Sequence, residues 1–515
     1  MGATLRALRA LVLLCGFHLL SLVLLAIPVV RGMSMLRAPR GEGPPGLPVT
    51  EADEPRLWAL VRELAAATGT RAPDAVVLTG DVDAAVSEEP RLPGLHPGPR
   101  RLYLGVPLLT GLTEAGLKAV LAHEYGHFTG GDTRLSALAV RGRVQIGRTV
   151  GHCHGRADGE EAAERARQEK AAAERIAKGR RVEEIDTVGA GIMYRLTAAV
   201  YTAYARLCMR ATLPMARAQE YAADLAAARI AGRDATATAL REIPVLSAAH
   251  DFYLGSYATL GLPARQLPPR GQFFGGFGRM LTARETELAG LREELPSEPG
   301  SPYDSHPPIA DRVRRIEALP ADGRGSEDGG PALALLADPA RTLAALEDAV
   351  LSDEVGQFER AGEWGQLLSS SMAVGLASLD TPLHRALACY TEGLPTLPAL
   401  LAVIDEGRLW QLARRLPPPD LATAGRDREF REAVRPVLRD ALQSMVLAEF
   451  SARSLLHWEF SWSRPAAVRL PGSASDLDGE SGTEAALHAA VTAALADRPD
   501  TGPLRALLPP TPQSA

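Results

Sequence analysis

Residues 113–132, TEAGLKAVLAHEYGHFTGGD, decide how the rest of the chain is read. The stretch predicts one amphipathic helix, with Thr113 as N-cap and Glu114 in the first turn to complement the helix dipole. Gly130 and Gly131 stand where a left-handed C-cap would end it. His123 and His127 are four residues apart, so both imidazoles leave the same face of the helix. Glu124, one step round, can reach a water held between them. This is the pattern H-E-x-x-H, in which two neutral imidazoles hold Zn2+ and the carboxylate acts as general base.

Such a site needs a third protein ligand. The segment 215–232, MARAQEYAADLAAARIAG, predicts a second helix carrying Glu220 and Asp224 four apart on one face. Its alanines would let that face approach another helix closely. Glu220 is the expected third zinc ligand. Asp224 is expected to accept a hydrogen bond from the remaining N–H of a ligand histidine and so to orient it.

With these residues in view, the chain resembles the zinc metallopeptidases of the HtpX and CAAX-prenyl-protease type, a membrane-associated gluzincin family. Three motifs carry the resemblance, over roughly residues 50 to 320. The first is His123-Glu124-Tyr125-Gly126-His127 with Asp132 downstream, which, like Asp224, is expected to stand behind the ligands. The second is Arg217-x-x-Glu220-Tyr221-x-Ala223-Asp224, and Ala216 before it stands where many members carry serine. The third is His306-Pro307-Pro308-x-x-x-Arg312. The resemblance implies one Zn2+ per chain on His123, His127 and Glu220, with Glu124 catalytic. It also implies that His306 and Arg312 come near the active site, either to bind the substrate carbonyl or developing oxyanion, or as a rigid Pro-Pro turn with a structural ion pair.

The remaining sequence sets the context. At 515 residues the chain is too long for one compact core, so two or three domains are expected. A net charge of -6 gives no case for nucleic-acid binding. Cys15, Cys153, Cys208 and Cys389 are widely spaced, which argues against a disulfide framework. Residues 156–184 mix acidic and basic side chains with alanine and predict an exposed helical arm, polar on every face. His152-Cys153-His154 just before it is not expected to bind metal, because adjacent residues rarely converge on one ion.

From Ala10 to Val30 no residue carries a formal charge. At about 1.5 Å per residue a helix there spans about 31 Å, close to the hydrocarbon thickness of a bilayer. An uncleaved anchor is preferred to a signal peptide because Ile27-Pro28-Val29-Val30 offers no small-x-small cleavage site. Arg31, Arg37 and Arg40 outnumber Arg6 and Arg9, which places the bulk of the protein in the cytoplasm. Residues 187–205 are apolar apart from Arg195 and predict a buried or interface-lying helix rather than a second span.

The expected fold class is mainly α with a small β-sheet (α+β), a gluzincin-type helical metalloprotease domain. The expected organisation is a membrane anchor at 1–31, a linker at 32–50 and the peptidase domain at 51–320. A helical domain at 331–470 follows, then a flexible tail at 471–515 with a short helix near 483–496. Two strands are expected, 75–78 and 101–104, the second either offering an edge to an extended peptide or lying as an ordinary strand inside a small sheet. Gly271 to Gly278, GQFFGGFG, reads as a loop pinned by aromatics or as a lid. The expected function is a zinc endopeptidase acting on protein or peptide substrates, attached to the cell membrane and its lipid by a single N-terminal pass. The competing class is a catalytically silent scaffold on a protease fold.

Overall fold

The computed structural model describes residues 43–88, 98–128, 133–178, 186–187, 189–295, 306–324, 329–416, 427–469 and 482–508. The expected anchor at 1–31 and Asp132 lie outside the described residues, as does most of 471–483. The chain is mainly helical with small sheets.

In chain order the first elements are β1 (Leu47–Val49), α1 (Pro55–Ala67), β2 (Ala75–Thr79), β3 (Ala84–Glu88), β4 (Arg100–Gly105), α2 (Val106–Gly111) and α3 (Glu114–Gly126). Two long helices follow, α4 (Thr133–Ala177) and α5 (Ile192–Ala231), then α6 (Arg233–Tyr253), α7 (Gln272–Ala283), α8 (Glu285–Glu293) and α9 (Ile309–Glu317). Contacts divide the chain into two compact units. One holds the residues up to Leu246 with Gly290–Pro339, and the other holds Ser247–Ala289 with everything from Ala340 onward.

In the first unit a four-stranded sheet has the order β1-β2-β4-β3. β2 and β4 are parallel, while β1 and β3 run antiparallel to their neighbours. Of the two readings of 101–104, the interior one holds: the strand lies inside the sheet. β3 takes the edge position and packs beside α3. Its sequence, Ala-Ala-Val-Ser-Glu, is too short and too weakly apolar to announce a strand. β1 likewise falls at the end of the segment expected to be linker, tied down where the indole of Trp58 donates to the Val49 carbonyl at 3.0 Å.

The apolar face of α1 (Leu57, Leu60, Val61, Leu64) is buried, as are Val76, Leu78, Leu102 and Leu104 of the inner strands. The chain then turns at Gly105 into α2 and α3. A Cβ at Gly105 would lie 1.9 Å from the Asp81 carbonyl, so only glycine fits that turn. α3 begins as the sequence predicts, with the Thr113 hydroxyl accepting from the Gly116 N–H at 3.1 Å.

The predicted helices at 187–205 and 215–232 are parts of one, α5, which runs through Pro214. Proline removes one backbone hydrogen bond, and α4 supports α5 from the side. Most of the charged arm lies in α4. Among the described residues no helix is long and apolar enough to cross a membrane. α9 closes the first unit, its Val313 and Ile316 packing on Ala228 of α5 and on Ala237 and Leu240 of α6.

In the second unit, the GQFFGGFG segment is neither loop nor lid. It opens α7 after Gly271, which sits at φ 77°, and Phe274 and Phe277 are buried. Glycine at 276 lets the helix close on the Tyr253 hydroxyl and the Trp364 ring. The main helices beyond are α10 (Trp364–Ala377) and α11 (Asp427–Ala452), with shorter ones at 382–391, 397–405, 409–413, 482–494 and 502–507. Leu387, Leu401, Leu412, Val446 and Val491 share their core. Pro382 opens a helix rather than only ending one. The hairpin of His457–Glu459 with Ala467–Arg469 is not evident in the sequence.

Candidate metal centre and active site

α3 and α5 cross where both carry small residues. A Cβ at Gly126 would lie 3.0 Å from the Cα and 3.2 Å from the Cβ of Ala223, so the backbones meet almost without side chains between them. That approach brings the histidine face of α3 to the carboxylate face of α5. His123 Nε2 and His127 Nε2 are 3.2 Å apart. Glu220 Oε2 lies 3.6 Å from the first and its Oε1 3.6 Å from the second.

Donor atoms about 2.0–2.1 Å from a tetrahedral zinc lie about 3.3 Å from one another. The three separations match that spacing, and the donor set of two imidazoles and one carboxylate is one zinc accepts. Among the described residues, these three are the group of histidine, cysteine and acidic side chains placed to hold an ion.

Behind the donors stands Asp224, 2% exposed. Its Oδ1 is 2.9 Å from His123 Nδ1, so that nitrogen carries the proton and Nε2 is left as the donor to a metal. Arg312, delivered by α9, grips the same carboxylate, Nε to Oδ2 at 2.9 Å and Nη2 to Oδ1 at 2.6 Å. Arg312 is buried, and besides Asp224 it stands 3.8 Å from Glu220 Oε2 and 3.4 Å from His123 Nδ1. His306 differs. Its Nδ1 is 2.9 Å from Glu220 Oε2, and its side chain remains 61% exposed at the rim.

The charges are strongly coupled. Burial pushes His123 down, but its hydrogen bonds to Asp224 and Glu220 outweigh burial and raise its pKa to about 9. Burial, with the neighbouring His123 charge, lowers His127 to about 4. Burial would raise Glu220, yet the hydrogen bonds from His123 and His306 hold it below the usual carboxylate range. Asp224 is likewise lowered, as its partners Arg312 and His123 overcome burial. Glu124 goes the other way, to about 7, because burial disfavours its charge. A base with a pKa near neutrality is suited to take a proton and give it back.

One nearby residue was not anticipated. Asp83, in the loop before edge strand β3, adds to the rise in Glu124, and its own pKa is raised by burial. The only sign of it in sequence is a pair of aspartates, Asp81 and Asp83, after the glycine that ends β2. Its carbonyl accepts from the Gly105 N–H at 2.7 Å, which ties the loop to the entry of the α2–α3 turn.

The site can therefore hold a divalent cation, keep a base beside it and present a strand edge to an extended chain. The family model described as Peptidase family M48 matches residues 51–319. No solved structure matches the chain.

Proposed function

The chain belongs to peptidase family M48, and on that premise we propose a zinc-dependent endopeptidase that cuts protein substrates at a membrane. The observation that carries this reading is the donor triangle of His123, His127 and Glu220, with separations of 3.2, 3.6 and 3.6 Å. His123, His127 and Glu220 would hold Zn2+, which would supply Lewis acidity and make a bound water more acidic.

The protein's own groups do the rest. The substrate chain lies along the edge of β3 by main-chain hydrogen bonds. Glu124 takes the proton of the attacking water and delivers it to the leaving amide nitrogen. His306, at the rim, donates to the carbonyl oxygen as negative charge builds on it. Asp224 fixes the His123 tautomer, and Arg312 positions Asp224. Arg312 is thus a positioning residue, not one that touches substrate.

The uncharged run from Ala10 to Val30 supports attachment as a single-pass anchor, with the catalytic unit on the cytoplasmic side. The helices beyond Ala340 share one compact unit with Ser247–Ala289, and in this reading that unit is distinct from the residues that hold the metal.

The test is Glu124→Gln in the full chain. Zinc content should stay at one per chain, because the residue is not a ligand. Hydrolysis of an unfolded protein substrate should fall roughly 10²–10⁴-fold. Parent protein without stoichiometric zinc, or a variant that cleaves as fast as the parent, overturns the reading.

A further inference from the structure

The first half of α5 has a face that the peptidase chemistry does not use. Ile192, Met193, Leu196, Val200 and Leu207 are 52%, 70%, 56%, 69% and 67% exposed, although all five are large and apolar. Their spacing of three and four places them on one side of the helix. The opposite side, with Ala198, is buried. From Met193 to Leu207 the stripe is about 21 Å long. Scattered surface leucines need no explanation, but a continuous stripe does.

Charge says what covers it. Between Ile192 and Met215 the helix carries Arg195, Arg206 and Arg210 and no acidic residue. Arg195 pairs with Glu161 of α4 at 2.5 Å. Arg206 and Arg210 are exposed and make no ion pair among the described residues. By helical geometry the three fall along one border of the apolar stripe. An apolar stripe with a basic border is the pattern of a helix lying in the headgroup region of an anionic bilayer.

We propose that the Ile192–Leu207 face of α5 docks in the plane of an anionic lipid surface, as a second membrane contact besides the N-terminal anchor. The helix lies on the membrane and does not cross it. Glu220 is on the same helix, twenty residues beyond Val200, or about 30 Å along its axis. In a flat-lying helix that displacement runs along the surface, so the metal centre stays at the level of the membrane–water interface and outside the hydrocarbon, and the scissile bonds it reaches lie close to the membrane surface. This rests on the proposed membrane attachment and is independent of the zinc chemistry.

The test uses the full chain reconstituted in phosphatidylcholine vesicles containing phosphatidylglycerol. Val200→Trp places a fluorophore on the stripe, and lipids brominated high on the acyl chain serve as quenchers. The variant should lose more fluorescence than the parent, and the excess should disappear when Leu196→Glu and Leu207→Glu are added. Helical content by circular dichroism and peptide hydrolysis in detergent should be unchanged by all three substitutions. Added fluorescence quenched by aqueous iodide and not by brominated lipid overturns the proposal. Shielding from both quenchers, with cross-linking through the stripe, overturns it in favour of a second copy of the chain. A chain that does not associate with vesicles at all overturns the anchor reading as well, whereas one that associates without brominated-lipid quenching overturns only this docking face.

Discussion

Arg312 closes on Asp224 through two parallel hydrogen bonds, at 2.9 and 2.6 Å, and this pair locks a histidine of the metal centre in place. The fork is planar and rigid. Lysine, a single point charge, cannot reproduce it. Arg312→Lys should weaken zinc binding and kcat/KM by about 10–100-fold, as expected for a partner standing behind a ligand. Arg312→Ala should also cost about 3–5 kcal/mol of stability, because it leaves a buried carboxylate without its cation. Competition with a chelator of known affinity measures the first effect, and thermal unfolding the second. Zinc affinity equal to the parent in both variants would refute the positioning role.

Gly126 makes a second, purely steric prediction. An alanine there would bring its Cβ to 3.0 Å from the Ala223 Cα, and backbone cannot swing aside as a side chain can. Forcing α3 away from α5 should cost about 1–3 kcal/mol. It should also stretch the donor triangle and lower zinc affinity. By contrast, alanine at Gly151, inside α4, meets nothing within 4 Å; it should not lower stability and should leave zinc affinity unchanged. Equal behaviour of the two variants would exclude the close helix approach as the device that assembles the site.

The coupled histidines predict how the metal-free protein responds to pH. With its pKa raised from 6.5 to about 9, His123 is protonated at neutral pH. Coordination requires the neutral ring, so zinc binding near pH 7.5 should release about one proton. Calorimetry in buffers of different ionisation enthalpy counts it, and a value near zero would contradict the assignment. Stability follows the same pKa values. His123, raised in the fold, contributes stability that is full below pH 6.5 and lost as pH rises through about 9. His127, lowered in the fold, contributes stability that is full above pH 6.5 and lost as pH falls through about 4. Glu124, raised to about 7, contributes stability that is full below pH 4.5 and lost as pH rises through about 7. It offsets His127 on the acid side and adds to His123 on the other, so the metal-free form should lose stability as pH rises above about 6.5.

Asp83 should tune the catalytic base. Its negative charge, added to burial, raises the pKa of Glu124. Asp83→Asn removes that charge, so Glu124 ionises at lower pH. Because a general base works only when ionised, the acidic limb of the kcat/KM profile should move to lower pH. Bound zinc shifts the parent and the variant in the same direction, so the comparison is made within the zinc-loaded enzyme. A limb that stays in place, or moves up, would show that Asp83 does not act on Glu124.

Much of the site is local in sequence, and for that reason readable. The four-residue spacing of His123 and His127, and again of Glu220 and Asp224, follows from the helical repeat alone. So does the N-cap at Thr113, whose hydroxyl needs only the next turn of chain. What is not legible in the sequence depends on distant partners. The segment Gly271–Gly278 looks like a loop because glycine is permissive, and it is helical because its phenylalanines have a core to enter. α5 continues through Pro214 because α4 lies along it, a contact no window of sequence contains. β3 is not legible, and the place of β4 at the edge or inside stays open, because strand order is set by pairing between segments.

By itself, then, the sequence determined the kind of chemistry: which side chains share a helix face, and which residue types could hold an ion and move a proton. Only the tertiary structure decided how they are arranged. It put His306 on the rim, turned Arg312 onto Asp224, brought Asp83 within range of Glu124, and gave β3 the open edge. The physical reason is that helical periodicity acts over a few residues. The meeting of α3, α5 and α9 depends instead on a glycine, an alanine and a small apolar cluster, far apart in the chain, packing together.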